Sequence, residues 1–503
     1  MSFVTGGSFP AKIVPAQQKM TLQDNYLSFD SAAGGGTFAQ QYLPELYEQE
    51  VERYGNRTIG GFLRMVGAEM PMTSDQVIWS EQNRLHIAYK NNQVVDVTND
   101  TSVNATLTIN LTGTGPNATN LTEHAIRVGQ TVLLSDKSTG LIVVKGLVQA
   151  ANATTCSLAI YGGTFNGGAG TGPIPAGLTG AGNCNVFVYG SEFGKGAVGM
   201  DGSIEPSFTQ FSNSPIILKD NFKINGSDAA QIGWIEVSTE EGVNGYLWYL
   251  KSESETRLRF EDYLEMAMVE GEKMVTADVP FDFGPASAGA TQDVKGTEGL
   301  FAAIEARGNV YSGFAGAAAP GSGALGDFDE ILKNLDKQGA IEENMLFLSR
   351  STALDFDDMI GAQAGGGFGS TAAASYGLFD NEAEMALNFG FSGFRRGSYD
   401  FYKTDWKYLN DASTRGLDKA IDGVLVPAGT STVYDQMLGA NIRRPFLHVR
   451  YRASETEDRR FKNWITGSVG GAYTSDLDAM SVHFLSERCL VTQAANNFVL
   501  FKG

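Results

Sequence analysis

The 503-residue sequence predicts a loop-rich α+β chain weighted towards β-structure. Three observations carry that expectation. Glycine accounts for 61 residues, about one in eight, a composition suited to turns, bulges and close backbone contacts and unsuited to helix interiors. Period-two alternation of apolar residues recurs between positions 91 and 242, as in TLTINLT, TCSLAIYG and NVFVYG, which is the mark of half-buried strands. One long stretch, 246–275, instead has helical spacing, no Pro and a single late Gly. The hydrophobic content of 42% against 19% charged residues is enough for a core and excludes wholesale disorder. The length predicts two to four domains, or one large elaborated unit.

Several function classes are disfavoured at once. A formal net charge of −20 opposes general attraction to a polyphosphate, which requires Lys or Arg to displace counterions. No stretch approaches the roughly 18 apolar residues of a membrane-spanning helix. The first residues, MSFVTGGSFPAKIVPAQQKM, do not read as a charged start followed by an apolar run, so no signal peptide is expected. Three cysteines cannot staple a chain of this length, which fits a reducing compartment or a protein without need of disulfides. The four histidines (His86, His124, His448, His483) are far apart, and no HExxH or Cys/His metal spacing occurs.

The elements follow in order. Residues 1–41 read as an arm with a Gly34-Gly35-Gly36 hinge. A helix is expected from Pro44 to Tyr54, with Pro in its first turn, Glu45, Glu48 and Glu50 near its positive end, and Gly55 after it. Residues 91–199 hold only four basic and five acidic residues in 109 positions, about half the charge density of the whole chain. Their alternating runs and Gly-rich turns predict a small antiparallel β domain, with Cys156 and Cys184 in register with the inward residues as core thiols. SIEPSFTQF, SPIILKDNFKI and AQIGWIEV, with a hairpin at Asn225-Gly226, predict a β arm over 200–242. The stretch 246–275 would form a helical rod of roughly 45 Å, with Glu253–Arg257 and Glu255–Arg259 at i,i+4. Between 297 and 440 helices alternate with short strands: DFDEILKNLDKQG is expected as a capped helix with Asp327 and Glu330 in capping-box spacing and Gly339 as its stop. MLFLS reads as a buried strand followed by a helix in STALDFDDMIGAQAG, and FLHVRYRA and NFVLFKG as strands of the tail 441–503.

Weighed singly, no motif specifies catalysis. GSGALG (Gly321, Gly323, Gly326) matches the dinucleotide pattern, but it follows AGAAAP and not a buried strand, and is expected as a loop. Asn99, Asn104, Asn110, Asn117, Asn120 and Asn152 each precede a Thr by two positions. A Thr/Asn-rich β domain produces such triplets by composition, while glycosylation would need a secreted setting. The neighbouring carboxylates Asp357-Asp358, Glu342-Glu343 and Glu240-Glu241 carry no pocket pattern. One charge feature remains: Arg443, Arg444, Arg450, Arg452, Arg459, Arg460 and Lys462 stand against Glu455, Glu457 and Asp458, a local net of +4. On an acidic chain this band is expected either as a solvated face or as a seat for acidic partners, other copies of the chain first among them.

The order of arm, β arm, long helix, α/β segment and closing strands resembles the major capsid proteins of tailed bacteriophages, with the Hong Kong 97-type fold. TSDQVIWSEQNRLH (73–86) resembles the opening of the extended loop, VGQTVLLSDKSTG (128–140) an inserted β domain, and FTQFSNSPIILKDNFKINGSDAAQ (208–231) the returning arm. MPMTSDQVIWSEQNRLH is most similar to the capsid proteins of crAss-like phages. The resemblance implies an N-terminal arm and first helix (1–60), an extended β loop (61–90 and 200–242), an inserted all-β domain (91–199), a peripheral domain with its spine helix (243–296), an axial domain (297–440) and closing peripheral strands (441–503). It implies a structural shell protein of the virion, assembled in the bacterial host cytoplasm as hexamers and pentamers of itself. No enzymatic activity, cofactor, metal or membrane is expected. Portal and auxiliary or decoration head proteins would be partners, together with a separate scaffolding protein or none, and packaged DNA would be met only by non-specific proximity. The Lys–Asn crosslinking of the family's founding member is not expected: Lys219 and Lys223 lie in the proposed loop, but no pattern marks an Asn partner. The interface candidates are the seven cations of the basic band with Trp79, Phe208 and Phe222. A secreted or surface β-rich adhesin is the alternative, motivated by the N-x-T triplets.

Overall fold

The computed structural model describes residues 60–503 apart from 83–85, 97–104, 113–120, 162–173, 176, 205–207, 228–236, 239–243, 246, 275–278, 282–291, 313–323, 340, 357–391, 419, 436–439 and 470–472. The arm 1–41, the helix expected at 44–54, and Gly321 and Gly323 therefore lie outside the described residues. The chain forms two compact units, residues 1–79 with 212–503, and residues 80–211.

The first unit opens with helix α1 (Phe62–Val66) and strands β1 (Glu69–Met72) and β2 (Val77–Gln82). β2 pairs with β9 (Phe208–Asn213) in a two-stranded ladder, and both boundaries between the units fall within these two strands. Between them the second unit is a closed barrel of β3 (Ala88–Asp96), β4 (Ala105–Thr108), β5 (Gln130–Asp136), β6 (Val143–Ala151), β7 (Thr155–Ile160) and β8 (Cys184–Ser191). Its order is β3-β4-β7-β6-β5-β8, with every pair antiparallel. Alternation decides which residues turn inward: Leu107, Val132, Leu134, Val148, Cys156, Leu158, Cys184 and Val186 fill the core. The expected boundary at residue 91 falls inside β3, because low charge density marks a composition and not a strand end.

The first unit resumes with β10 (Ile216–Asn225), the two-residue strands β11 (Val237–Ser238) and β12 (Asn244–Gly245), and the 24-residue helix α2 (Leu247–Glu270), about 36 Å long. β13 (Val279–Phe281) and β14 (Gln292–Val294) pair with each other ahead of α3 (Leu300–Arg307), β15 (Asn309–Ser312), α4 (Ala324–Gln338) and β16 (Glu343–Leu348). Residues 350–356 are helical, and β17 (Ser392–Arg396), β18 (Tyr399–Asp405) and α5 (Lys407–Asn410) follow. The closing strands are β19 (Ile421–Pro427), β20 (Thr430–Asp435), β21 (Ala440–Pro445), β22 (Leu447–Arg452), β23 (Lys462–Gly467), β24 (Ala479–Thr492) and β25 (Val499–Lys502).

Two sheets organise this unit. In the six-stranded sheet β15-β25-β19-β16-β18-β17, strand parity separates two cores. Leu346, Leu348, Leu425, Val499 and Phe501 face Phe328, Ile331, Leu332 and Leu335 of α4. Phe347, Val424, Val426 and Leu500 face the other way, onto Phe62 of α1, Met268 and Val269 of α2, Leu300 and Ile304 of α3, and Trp406. In the second sheet β24 pairs with β10, β22 and β23, and β1 pairs parallel with β22. Its β10–β24–β23 region buries Val482 and Phe484 under Phe260 and Leu264 of α2, with the half-buried Leu218 and Phe222 packed against them. Thus 61–72 and 216–225, expected within an extended loop, belong to this unit's helix and sheet. Leu218 and Phe222 of β10 pack against α2, Ile224 packs with Met480, and the expected hairpin partner after Asn225-Gly226 lies outside the described residues.

Two further expectations are corrected locally. Helix α4 begins at Ala324, ahead of Asp327, so Asp327 sits in the first turn and favours the positive helix end instead of capping it. Ala324 and Leu325 are strong helix formers, and Gly326, expected in a loop, is carried into the helix with them. On α2, Arg257 pairs with Glu261 at 3.2 Å and Arg259 reaches across to Asp220 of β10 at 3.0 Å. A close approach then joins helix ends: the Gly299 N–H donates to the Gly271 carbonyl at 2.7 Å, where a Cβ on Gly299 would lie 2.6 Å from the Gly271 nitrogen.

Candidate assembly surface

Each expected interface residue has a definite place. Trp79, in β2, is only 7% exposed and lies beneath the guanidinium of Arg307, 5.9 Å from the ring centroid. Arg307 is held in turn by Glu298 at 2.8 Å. Phe222 is half-buried and packs against the α2–sheet core. Phe208, by contrast, is 56% exposed at the start of β9. Of these three aromatics, Phe208 alone has most of its surface free for a partner.

The basic band separates similarly. Arg443 and Arg444 lie on β21, opposite Thr432 and Ser431 of β20, and their side chains are outside the described residues. Arg450 donates to the Pro71 carbonyl at 3.3 Å. The remaining four cations converge on carboxylates of their own chain. Arg452 pairs with Asp75, and with Glu487 at 3.2 Å. Arg459 meets the second oxygen of Glu487 at 2.8 Å, Arg460 pairs with Glu69 at 2.7 Å, and Lys462 with Glu457 at 2.9 Å. The Lys462 ammonium holds the Glu457 carboxyl below its ordinary range.

Two buried members of this network went unnoticed in the sequence. Glu487 and Arg488 are adjacent on β24 and therefore point to opposite faces. Glu487 collects Arg452 and Arg459, while Arg488 reaches Glu69 at 3.4 Å and donates to the Arg460 carbonyl at 2.9 Å. Burial pushes the Arg488 guanidinium below its ordinary value. The available signal was the charged pair within the apolar run VHFLSERCLV, where long side chains in a central strand must find partners.

Among the described residues no group of three or more His, Cys, Asp or Glu side chains could hold a metal ion, and no helix is long and apolar enough to cross a membrane. Cys156 and Cys184 are buried in the barrel core and Cys489 in β24. Desolvation pushes their thiols up to about 12, about 11 and about 12 respectively, far from the range of a thiolate nucleophile.

No family model matches the chain, and no curated protein matches it. Among solved structures the chain is similar to one from Microbacterium phage Oxtober96, at 10% identity and a TM-score of 0.33, covering 92% of this chain and 95% of that one. A chain in the asymmetric unit of the bacteriophage PhiM1 mature capsid is similar at 8% identity and a TM-score of 0.36, covering 93% and 94%. A chain in the capsid structure of cyanophage P-SCSP1u has 9% identity and a TM-score of 0.30 over 62% of this chain and 80% of that one.

Proposed function

We propose that this chain is a major capsid protein of the Hong Kong 97-type fold, a structural, non-enzymatic subunit that assembles as hexamers and pentamers into the icosahedral shell around phage DNA. The observation that carries this reading is the order of elements along the chain. A two-stranded ladder interrupts the main unit to admit a β-barrel, a 24-residue helix lies on a β-sheet, and a six-stranded sheet flanked by helices follows. In this reading α2 is the spine helix, the six-stranded sheet the centre of the axial domain, and the barrel an inserted domain. The crAss-like relationship rests on the 70–86 sequence. A closed shell of one chain requires heterologous contacts whose rotation closes, which suits embracing arms. The virion would add portal and auxiliary head proteins, with a separate scaffolding protein or none, and assembly would take place in the bacterial host cytoplasm.

Electron microscopy of the purified chain tests the proposal. Rings, tubes or closed particles are expected, and a monomer persisting at high concentration would refute it. Deleting residues 1–41 should leave a folded subunit that assembles poorly. Charge reversal separates glue from scaffold: R443E/R444E should reduce assembly of a folded subunit, whereas R459E or R460E should destabilise the subunit itself, because those cations pair internally with Glu487 and Glu69.

A further inference from the structure

We propose that one side of the barrel's outer wall is a binding face for an uncharged carbohydrate chain. The strand register lines up Phe187 of β8, Leu133 of β5 and Lys145 of β6 directly across the wall, and Tyr161 joins the row through its N–H donated to the Lys145 carbonyl. At 4.7–4.9 Å per strand this row is about 14 Å long, enough for a short oligosaccharide. Tyr189 is added by a bulge: Gly190 pairs with Thr131 and Val188 with Val132, leaving Tyr189 as the extra residue and turning its ring outward. Phe187, Tyr189 and Tyr161 are 43%, 48% and 41% exposed, so burial in the barrel does not account for their size.

Among the described residues of the barrel wall, the exposed aromatics lie on this side. Where β4 and β7 form the wall, the residues alternating with the core are Thr106, Thr108, Thr155, Ser157 and Ala159. Sheet formation is thus satisfied there by small side chains, and the β8–β5–β6 side departs from that pattern. Charge narrows the ligand. Lys145 lies 5.8 Å from the Tyr189 ring centroid and the Tyr161 hydroxyl donates to Glu192, so charges of both signs stand beside the rings. Single-stranded nucleic acid would require an electropositive groove beside the rings. The core of a protein interface is depleted of charge, whereas Lys145 stands in the middle of this row. Ring faces of negative potential complement the C–H faces of sugar rings, and the flanking ammonium and carboxylate supply a donor and an acceptor for hydroxyls. A shallow face of this kind binds weakly as one copy and gains by repetition. That gain rests on the proposed shell, but binding by the isolated chain does not.

The test is titration calorimetry of the full chain with mannohexaose, cellohexaose and N-acetylchitohexaose. At least one should bind, with F187A and Y189A each weakening it about tenfold or more and T106A leaving it unchanged. Y189L, which keeps apolar bulk and strand pairing but removes the ring, should weaken binding as Y189A does. The proposal is overturned if none of the three sugars binds, or if binding survives these substitutions. It also fails if sedimentation shows that the wild-type chain self-associates through this face and F187A abolishes that association, since the face would then be a contact between copies.

Discussion

The side-chain amide of Asn213 donates to the main-chain carbonyl of Leu490 at 2.7 Å, fastening the end of β9 to β24 across 277 residues of sequence. The same amide donates to the Glu298 carbonyl, and its oxygen accepts the N–H groups of Ser214 and Glu298, each at 2.9 Å. Asn213 is thus a buried coupling between three distant segments. N213A would leave several main-chain groups without partners, at about 1–3 kcal/mol for each such group. Urea denaturation should show a loss of about 3 kcal/mol or more, and N213D a comparable one because a carboxylate cannot donate to the two carbonyls.

The contact between Gly271 and Gly299 predicts intolerance to the smallest side chain. A Cβ on Gly271 would lie 2.7 Å from both the Ala267 and the Thr297 carbonyl oxygens. G271A and G299A should each cost about 1–3 kcal/mol by overpacking, read as a lower denaturation midpoint with an unchanged slope. G326A, where nothing lies within 4 Å of the added carbon, should raise stability by about 0.5–1 kcal/mol, as expected for Gly to Ala inside a helix.

The three thiols should be silent in the native state. Burial raises them to about 11–12, so a thiol-specific chromogenic reagent at pH 8 should label none of them until the chain unfolds, and then all three. The sign of the pH effect follows. Above the ordinary thiol value the unfolded chain releases these protons while the native chain retains them, so native stability should fall as pH rises from about 9 towards about 11. A denaturation midpoint unmoved across that range after correction for lysine and tyrosine titration would contradict the assigned burial.

The barrel should fold by itself. Its six strands close without an edge and its core consists of residues from within 80–211. A fragment of residues 80–211 should therefore give a β-type circular dichroism spectrum and a cooperative thermal transition, whereas V132D, at a fully buried position, should abolish both by placing an unpaired charge in that core.

Periodicity made the strands legible. TCSLAI and the start of CNVFVYGS alternate between buried and more exposed positions, from which the inward parity of Cys156 and Cys184 followed. MLFL and VLFK were instead legible as short apolar runs and are buried along most of their length. Helix α2 was legible from its length and its lack of breakers. Partnership across long sequence separations was not. The row Ile216–Asn225 pairs with Ala479–Arg488 of β24, hundreds of residues away, and nothing in its alternation names that partner. The basic band was visible as charge, but its internal carboxylates Glu69, Asp75 and Glu487 are separated from it by up to hundreds of residues. Composition registers such a cluster as unbalanced, although most of its described members are already paired.

The ladder β2–β9 has a consequence for how this chain can vary. The polypeptide leaves the main unit on one of two hydrogen-bonded strands and returns on the other, so the outgoing and returning strands run side by side at about 4.7–4.9 Å. Whatever lies between them need only have neighbouring ends. The ladder is therefore a standard port: the barrel could be exchanged for a plain turn or for an unrelated domain without altering the register of any strand in the main unit, so the properties of the barrel and those of the scaffold are free to diverge independently.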